Sequence, residues 1–354
     1  MKSTVITFFV LGLIAVSTTI AVCAQANKKS NVYVAYEWDK LEEVILGSPK
    51  MLTVPGYYPT VEFGFNYSKD NKKWMEDYGG TPIEIADKDF YDKLVFQSNN
   101  LEKVLKENGV TVHRLDPDML SKEELDYMQN LEKGFNFLYP RDPVLVIGNN
   151  VIETSLKIPM RAREKFIVRK IFKPFLESDK NIQYVATPSV SPSFKNEEIY
   201  IEGGDVLLNG KEIYVGFSGN ATSVEGINWL QRYLGPSYKV HQINIKNFQH
   251  LDCVMSLIRP GLGIIVKEAF TGELPDSLKK WDFIEVPVED ANNLAANIFI
   301  LEKNKVIIDE RYTYLENELK KRGVTVIKVP FDALSQMGGG FRCSHHPIRR
   351  VPVK

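Results

Sequence analysis

The chain has 354 residues, of which 44% are hydrophobic and 25% are charged, and its formal net charge at pH 7 is −1. This composition is typical of a globular protein with a substantial hydrophobic core. Because the sequence contains no basic run, a nucleic-acid partner is disfavoured, and an anionic lipid surface is disfavoured for the same reason.

The first 24 residues have the pattern of an export signal. Lys2 gives a short positive region, an apolar stretch runs from Val5 to about Val22, and small residues surround a cleavage point after Ala24. We therefore expect residues 1–24 to be removed as a signal peptide and the mature protein to be periplasmic or secreted. Two alternatives stay open: an uncleaved membrane anchor, because the apolar stretch approaches spanning length, and lipidation at Cys23.

The rest of the chain has the organisation of one repeated domain. No Pro/Gly/Ser-rich linker or low-complexity tract interrupts it, so a single domain is predicted over residues 32–354. The segment Leu105–Val112 recurs as Leu319–Val326, and each copy is typical of a helix end, a glycine stop and a β-branched strand. Such a recurring unit indicates stacked or radially arranged modules.

Four β-hairpins are predicted, each with turn residues between two short apolar runs. Their strands are 144–147 with 151–153, 206–208 with 212–217, 253–258 with 263–266, and 298–301 with 306–309. Helices are predicted at about 162–176, 223–234 and 312–322. The repeated order of hairpin, helix and strand favours an α/β fold with mixed sheets over a doubly wound parallel sheet.

Polar residues precede each predicted hairpin. They are Asp142 for the first, Glu202–Asp205 for the second, His250–Asp252 for the third and Asn297 for the fourth. If the modules surround a common axis, equivalent positions converge. We therefore expect these four groups to meet and to form one active site.

The segment Gly338–Cys343 contains a candidate nucleophile. Its three consecutive glycines permit positive φ angles and close backbone approach, while a nucleophilic cysteine needs a lowered pKa or a nearby base. Arg342 and a cationic substrate are both expected to favour the thiolate of Cys343. The alternative is a buried cysteine or a disulfide between Cys343 and Cys253.

The other candidates supply a proton shuttle and carboxylates. His250 is a candidate general acid and base, and on a strand His250 and Asp252 would face the same side. Glu202 is a candidate carboxylate for orienting His250. A guanidinium is a planar cation that carboxylates bind best, which makes Asp142 and Asp252 a natural pair. The alternatives are turn chemistry for the Glu202 segment and a surface ion pair with Arg141 for Asp142.

A metal site and an organic cofactor are both disfavoured. Two groups of potential zinc ligands occur, namely Cys343 with His345 and His346, and His250 with Asp252 and Cys253. Neither has the spacing of a structural zinc site, and no His-Glu-x-x-His helix is present. Neither a P-loop nor a Gly-x-Gly-x-x-Gly segment after a strand occurs. No metal and no cofactor are therefore expected.

Taken in order, these motifs resemble the amidinotransferase family of the pentein superfamily of guanidino-group-modifying enzymes, close to the glycine amidinotransferases and related to the arginine deiminases. The resemblance runs from Glu37–Gly47 to Gly338–Cys343. Between these ends it includes Pro140–Asp142, Glu202–Asp205, Gly226–Leu230, His250–Asp252 and Asn297. It implies a single-domain, five-module, pseudo-symmetric α/β-propeller.

The resemblance also implies roles for five residues. Cys343 is the expected nucleophile, His250 the general acid and base, and Glu202 the partner of His250. Asp142 and Asp252 are expected to bind the guanidinium. The implied reaction moves an amidino group from arginine or a related guanidine to an amine through an amidino-cysteine, with small molecules as partners and a homodimer as a possible assembly.

Two other functions stay open at this point. One is an arginine-deiminase-type hydrolase that makes citrulline and ammonia, and the other is a non-catalytic secreted binding module. The chain also departs from the family pattern. Lys267–Phe270 has no arginine where the family transferases hold a substrate carboxylate, Asp290-Ala291 replaces a serine pair, and Ser344–Pro347 follows the nucleophile. Donor and acceptor are therefore not specified by the sequence.

Overall fold

The computed structural model describes residues 30–57, 69–129, 135–191 and 198–352. The predicted signal peptide, residues 1–24, lies outside the described residues. Within them, no helix is long and apolar enough to cross a membrane.

The described chain contains fifteen strands in five three-stranded sheets. The strands are β1 (Lys40–Leu46), β2 (Thr111–Arg114), β3 (Val144–Ile147), β4 (Asn150–Glu153), β5 (Gln183–Ala186), β6 (Val206–Asn209), β7 (Glu212–Phe217), β8 (Lys239–Asn244), β9 (Met255–Arg259), β10 (Leu262–Ile265), β11 (Asp282–Glu285), β12 (Phe299–Glu302), β13 (Lys305–Asp309), β14 (Thr325–Val329) and β15 (His345–Val351). The helices in the same ranges are α1 (Lys69–Tyr78), α2 (Ile83–Ala86), α3 (Lys88–Glu107), α4 (Lys122–Gln129), α5 (Lys165–Ser178), α6 (Val224–Leu234), α7 (Val288–Ala291), α8 (Thr313–Lys321) and α9 (Asp332–Gln336).

All five sheets have the same plan. In four of them an antiparallel hairpin is followed by a third strand that runs parallel to the second: β3-β4-β5, β6-β7-β8, β9-β10-β11 and β12-β13-β14. The fifth sheet, β15-β1-β2, repeats this pattern with strands from both ends of the chain. The five sheets agree with the five-module plan.

The predicted hairpins occur as β3–β4, β6–β7, β9–β10 and β12–β13. The third hairpin begins at Met255 rather than at Cys253, because residues Leu251–Cys253 form a 3-10 turn. The predicted helices occur as α5, α6 and α8. Helix α5 starts three residues later than predicted, because residues 162–164 form a turn after the 3-10 helix Pro159–Arg161.

The recurrence of one sequence segment is also confirmed as a structural repeat. Helices α3 and α8 end just before Gly109 and Gly323, whose φ angles are 77° and 74°. Positive φ is the left-handed conformation in which glycine stops a helix without steric cost. Strands β2 and β14 then follow in equivalent positions, each parallel to the middle strand of its sheet.

The strands differ systematically in burial. The first strand of each module is almost wholly buried, whereas the third is partly exposed. We call β3, β6, β9, β12 and β15 the inner strands. The residues at the N-terminal ends of the inner strands therefore lie in the buried centre of the molecule. Polar side chains there must form hydrogen bonds or ion pairs with one another.

Candidate active site

A polar or nucleophilic residue stands within three positions of the start of every inner strand. These residues are Asp142 before β3, Asp205 before β6, Asp252 before β9, Asn297 before β12 and Cys343 before β15. Each is at most 4% exposed. The expected convergence of four groups is found, and the structure adds a fifth equivalent position at Cys343. The sequence did not reveal that equivalence, because β15 pairs with strands from the opposite end of the chain.

Asn297 links the segment Gly338–Cys343 to the turn that precedes β9. Its Nδ2 donates to Cys343 Sγ at 3.2 Å and to the Asp252 carbonyl at 3.1 Å. Its Oδ1 accepts from the Arg342 backbone N–H at 2.7 Å. The carboxylate oxygens of Asp252 lie 3.7 and 3.9 Å from Cys343 Sγ. The thiol is thus fixed between one amide and one carboxylate.

His250 lies between two carboxylates. Its Nε2 donates to Glu202 at 2.7 Å, and its Nδ1 is 3.8 Å from Asp142 Oδ1. Burial alone would lower the pKa of His250, but Asp142, Glu202 and Asp205 raise it to about 10. The imidazole is therefore protonated at neutral pH, and Nδ1 is the nitrogen left to transfer a proton.

The predicted strand geometry of His250 and Asp252 is wrong. These residues flank the start of the 3-10 turn Leu251–Cys253 instead of lying on a strand. Asp205 holds this turn by accepting from the Leu251 N–H at 3.0 Å and from the Thr222 N–H at 3.2 Å. Burial raises the pKa of Asp205 to about 7.

Asp142 is not part of a surface ion pair with Arg141. It is 2% exposed and pairs with Arg161 at 2.8 Å, while its other oxygen accepts from the Gly204 N–H at 2.9 Å. Burial would raise the pKa of Asp142, but His250 and Arg161 lower it below the usual value. Arg161 also binds Glu164 through two hydrogen bonds of 2.8 Å. No motif in the sequence pointed to Arg161.

Arg342 forms its own ion pairs and hydrogen bonds. Its guanidinium pairs with Glu37 at 2.9 Å and Asp252 at 3.1 Å, and donates to the carbonyls of Gly203 and Val206. The prediction that Arg342 favours the Cys343 thiolate is therefore wrong, because two carboxylates already balance its charge.

The resting state of Cys343 is the thiol. Burial raises its pKa well above the ordinary value, and Asp252 and Asp142 raise it further. The Gly340 backbone and Asn297 act in the opposite direction but do not outweigh these effects. Free of any cationic ligand, the site therefore holds a protonated sulfur.

The glycines of the segment Gly338–Cys343 mainly allow the backbone to approach neighbouring side chains closely. Only Gly338 has a positive φ, of 90°. A Cβ at Gly339 would lie 2.2 Å from the Tyr139 ring, and one at Gly340 would lie 2.5 Å from Asn297 Oδ1. Both distances are shorter than any side chain could tolerate, so the segment carrying Cys343 needs glycine there.

Gly204→Ala is expected to displace His250. A Cβ at Gly204 would lie 2.5 Å from His250 Nδ1 and 3.0 Å from Asp142 Oδ1. A displacement of about 1 Å in a catalytic group lowers the rate by roughly 10²-fold, and kcat/KM would show this loss. Gly272→Ala is the matched control, because nothing lies within 4 Å of its added Cβ. Equal rates for both variants would contradict the placement of His250.

Cys253 lies beside the site without joining it. Both Cys253 and Cys343 are buried and have free thiols, so the alternative of a disulfide between them is not found. Burial raises the pKa of Cys253 well above the ordinary value. Cys253 closes the turn before β9 and packs within the hydrophobic core there.

One group of side chains in the described residues has the proximity required of metal ligands. Asp142, Glu202 and His250 each offer an atom within 4.8 Å of the others, a set different from both groups considered from the sequence. Asp142 already pairs with Arg161, and His250 donates a hydrogen bond to Glu202. This pairing favours proton transfer over cation binding as the use of the group.

A family model described as arginine deiminase matches residues 83–275 and 264–350, well over half of the chain. The chain belongs to the arginine deiminase family.

Three similar proteins are amidinotransferases by name. Mitochondrial glycine amidinotransferase of Gallus gallus is 27% identical over 364 residues, covering 92% of this chain and 84% of that protein. L-arginine:L-lysine amidinotransferase of Pseudomonas savastanoi pv. phaseolicola is 26% identical, covering 89% and 93%. The solved structure of SxtG, an amidinotransferase of saxitoxin biosynthesis from Microseira wollei, matches with a TM-score of 0.76 at 25% identity, covering 90% and 97%.

These findings confirm the resemblance to the amidinotransferases and the five-module α/β pentein fold, and they support a transferase activity. They support modification of a guanidino group on a small molecule. The roles of Cys343, His250, Glu202, Asp142 and Asp252 stay predictions.

Glu202→Gln is expected to keep a hydrogen bond to His250 and to remove a charge that raises its pKa. General acid catalysis should fall by roughly 10²-fold or more, and the alkaline limb of the pH–rate profile should move to lower pH. The matched control is Glu212→Gln, which alters a Glu–His pair outside the site, with His241. An unmoved alkaline limb in Glu202→Gln would contradict the prediction.

Glu202→Gln is also expected to change the pH dependence of the protein's stability. The folded-state pKa of His250 is raised from 6.5 to about 10, so its contribution to stability is complete below pH 6.5 and is lost as the pH rises through 10. In Glu202→Gln the folded-state pKa of His250 falls, so this loss should be complete at lower pH, as measured by denaturant midpoints across the alkaline range.

Proposed function

We propose that the protein is a cysteine-dependent amidinotransferase in which Cys343 attacks an arginine-type guanidinium held by Asp142 and Asp252. The observation that carries the proposal is the position of Cys343 Sγ, 3.7 Å from the Asp252 carboxylate and 3.2 Å from Asn297. The same buried centre contains the His250–Glu202 pair. Nucleophile, proton shuttle and cation-binding carboxylates are thus present together.

The guanidinium itself supplies the activation of the thiol. Asp252 and Asp142 raise the pKa of Cys343 in the free site. A planar cation bound to these carboxylates cancels their charge and places its own charge near sulfur, which lowers the thiol pKa. The thiolate therefore forms when the donor binds, and the thiol proton leaves to bulk solvent because His250 is already protonated.

The chemistry proceeds in two balanced steps. The thiolate adds to the central guanidinium carbon, and the bond to the leaving nitrogen breaks as His250 donates its proton to that nitrogen. An amidino-cysteine and a free amine result. The acceptor amine then adds to the amidino carbon and gives a proton to His250, and the carbon–sulfur bond breaks to regenerate Cys343.

The similarity of the chain to named amidinotransferases favours transfer to an amine over hydrolysis. The two relatives named above transfer amidino groups, as their names state, and one of them uses L-arginine and L-lysine. We infer an arginine-type donor. Lys267 of this chain is exposed and pairs with Glu285, so it offers no cation for a substrate carboxylate. This favours an acceptor amine over an amino acid.

Hydrolysis is the second candidate. It is supported by the match to the arginine deiminase model. In that reaction ammonia would leave the guanidinium in the first step, and water would then release the alkyl-bearing amidino group from Cys343 as a urea-type product. A non-catalytic binding module is disfavoured, since the free thiol of Cys343 and the paired His250 would then have no use.

The test is a product assay on the mature protein. Arginine, agmatine and related guanidines are supplied with and without glycine, lysine or other amines, while ammonia, urea-type product and transferred product are followed together. Product that requires the amine and disappears in Cys343→Ala supports the transferase. Ammonia formed without any amine supports the hydrolase. No reaction with any guanidine, in wild type and variant alike, would overturn the proposal.

We further propose that the protein is exported, with residues 1–24 as its cleaved signal. Support comes from the charged start, the apolar stretch and the small residues before position 25. Cell fractionation of the native host and N-terminal sequencing of the recovered protein test this. A mature N-terminus at Gln25 is expected, and a cytoplasmic protein that keeps Met1 would contradict it.

A further inference from the structure

Every polar atom of the Asn297 side chain has a partner, and one of these partners is the sulfur of Cys343. The amide nitrogen, Nδ2, donates to Cys343 Sγ at 3.2 Å and to the Asp252 carbonyl at 3.1 Å. The amide oxygen, Oδ1, accepts from the backbone N–H groups of Arg342 at 2.7 Å and of Cys343 at 3.4 Å. Asn297 is 0% exposed, so bulk water does not compete for these hydrogen bonds.

These hydrogen bonds determine which end of the amide faces the sulfur. If the oxygen and the nitrogen exchanged places, the oxygen would face the Asp252 carbonyl and the NH₂ group would face two backbone N–H groups. Both arrangements leave buried polar groups without a partner, which costs free energy. Cys343 Sγ therefore faces an N–H donor in each of its protonation states.

The backbone around Asn297 holds the amide at this position. The Phe341 N–H donates to the Asn297 backbone carbonyl at 3.1 Å. A Cβ at Gly340 would lie 2.5 Å from Asn297 Oδ1 and 2.7 Å from its Cγ, so a residue with a side chain could not pass there. The segment that carries Cys343 thus fits around one fixed amide.

The two polar neighbours of the sulfur act on it in opposite directions. The Asp252 carboxylate, with oxygens 3.7 and 3.9 Å from Sγ, raises the pKa of Cys343, whereas the hydrogen bond from Asn297 lowers it. A thiol can donate to Asp252 while it accepts from Asn297. A thiolate can only accept, and a hydrogen bond to an ionised acceptor is roughly twice as strong as one between neutral groups. Asn297 therefore stabilises the anionic sulfur more than the neutral one.

We propose that Asn297 is a further catalytic residue, whose amide stabilises the anionic sulfur of Cys343 in both steps of the reaction. This inference rests on the proposed function, because it assigns a group to the same site. When the donor guanidinium binds to Asp252, the thiol loses that carboxylate as an acceptor and keeps the hydrogen bond from Asn297.

The same amide serves the sulfur when it attacks and when it leaves. The thiolate that faces Nδ2 adds to the guanidinium carbon. In the second step the carbon–sulfur bond breaks, and its electron pair returns to the sulfur, which again accepts from Nδ2. Asn297 keeps its own protons throughout. A fixed donor aimed at the place where charge develops lowers the barrier without having to reorient.

Two variants separate this role from a purely structural one. Asn297→Asp has nearly the same shape and still offers an oxygen to the backbone N–H groups of Arg342 and Cys343, but it has no donor for the sulfur. Asn297→Ala removes the oxygen and the donor together, without adding a charge. A purely structural role would be kept in the first variant and lost in the second, whereas the catalytic role is lost in both.

The acid limb of the pH profile of kcat is the main readout, because it follows the ionisation of Cys343 with the donor bound. In both variants this limb should move to higher pH by about one to two pH units, as expected for the loss of a hydrogen bond to an ionised group. A misplaced sulfur would instead lower kcat by the same factor at every pH. An unmoved limb in Asn297→Ala would overturn the proposal, however far kcat falls.

Asn136→Ala is the matched control for this measurement. Asn136 is also buried, and its amide oxygen accepts from the Leu138 N–H at 2.7 Å. Its loss removes a buried hydrogen bond between a side chain and the backbone but no donor from the sulfur. The acid limb of Asn136→Ala should therefore coincide with that of wild type.

Alkylation of Cys343 by iodoacetamide tests the same role without turnover. At a fixed pH below the thiol pKa the rate follows the thiolate fraction, and peptide mapping assigns it to Cys343. Asn297→Ala should react about 10-fold more slowly or less, although the space left by alanine would by itself speed the reaction. Slower alkylation in a protein that acts on no guanidine would refute the proposed function and keep the role of Asn297. Turnover with equal alkylation rates in wild type and Asn297→Ala would refute the role of Asn297 and keep the function.

Discussion

Replacing Cys343 by alanine is expected to lower kcat/KM for amidino transfer by roughly 10⁴-fold or more, as loss of a covalent nucleophile does in other enzymes. The physical reason is that no other group in the described site can hold the amidino group between the two half-reactions. Donor affinity should change little, because Asp142 and Asp252 still bind the guanidinium. Steady-state rates and donor binding by calorimetry measure the two quantities separately.

Cys253→Ala is the matched control for this variant. Cys253 is likewise buried and free, and its Sγ lies 3.8 Å from an oxygen of Asp252, the carboxylate that Cys343 also contacts. Its thiol nevertheless packs in the hydrophobic core, so the variant should keep its activity within a few fold. Loss of activity in Cys253→Ala with retention in Cys343→Ala would reverse the assignment of the nucleophile.

Arg342→Met is expected to lower the free energy of unfolding by about 3–5 kcal/mol, the usual cost of removing one partner from a buried ion pair. Arg342 is 3% exposed, and its loss leaves Glu37 and Asp252 buried without their cation. Five hydrogen-bond acceptor atoms lose their donors at the same time. Urea unfolding monitored by tryptophan fluorescence measures the change.

The control for this prediction lies on the same final strand. Arg349 pairs with Glu42 and Glu43 at the surface and is 37% exposed, so Arg349→Met should cost less than about 1 kcal/mol. Adding Glu37→Gln to Arg342→Met should recover part of the lost stability, because it removes one of the two stranded charges. A cost below about 1 kcal/mol for Arg342→Met would contradict the buried ion-pair description.

The sequence predicted the repeated parts of the fold well, because each module is built from local signals. Asn209-Gly210 between two apolar runs defines a hairpin, and Gly109 and Gly323 stop helices at positive φ. Once the modules repeat, the convergence of Asp142, His250 and Asn297 follows from symmetry. The fifth module escaped this reasoning since its strands come from opposite ends of the chain.

The partners of the site residues were not predictable in the same way. Arg161 reaches Asp142 across 19 positions, and Arg342 reaches Glu37 across 305. In the sequence alone, an arginine or a glutamate that is buried in the folded protein cannot be distinguished from one at the surface. Asp205 was part of a recognised motif, but its use as an acceptor for the Leu251 turn depends on a backbone conformation that the strand pattern concealed.

The most direct measurement of the central claim is a trapped intermediate. Enzyme is mixed with a guanidine donor in the absence of acceptor, quenched in acid within one turnover, digested and mapped by mass spectrometry. One amidino group is expected on the peptide containing Cys343 and none on the peptide containing Cys253. The adduct should disappear, with a matching amount of product, when an acceptor amine is added before the quench. Turnover without any adduct on Cys343 would contradict the covalent mechanism.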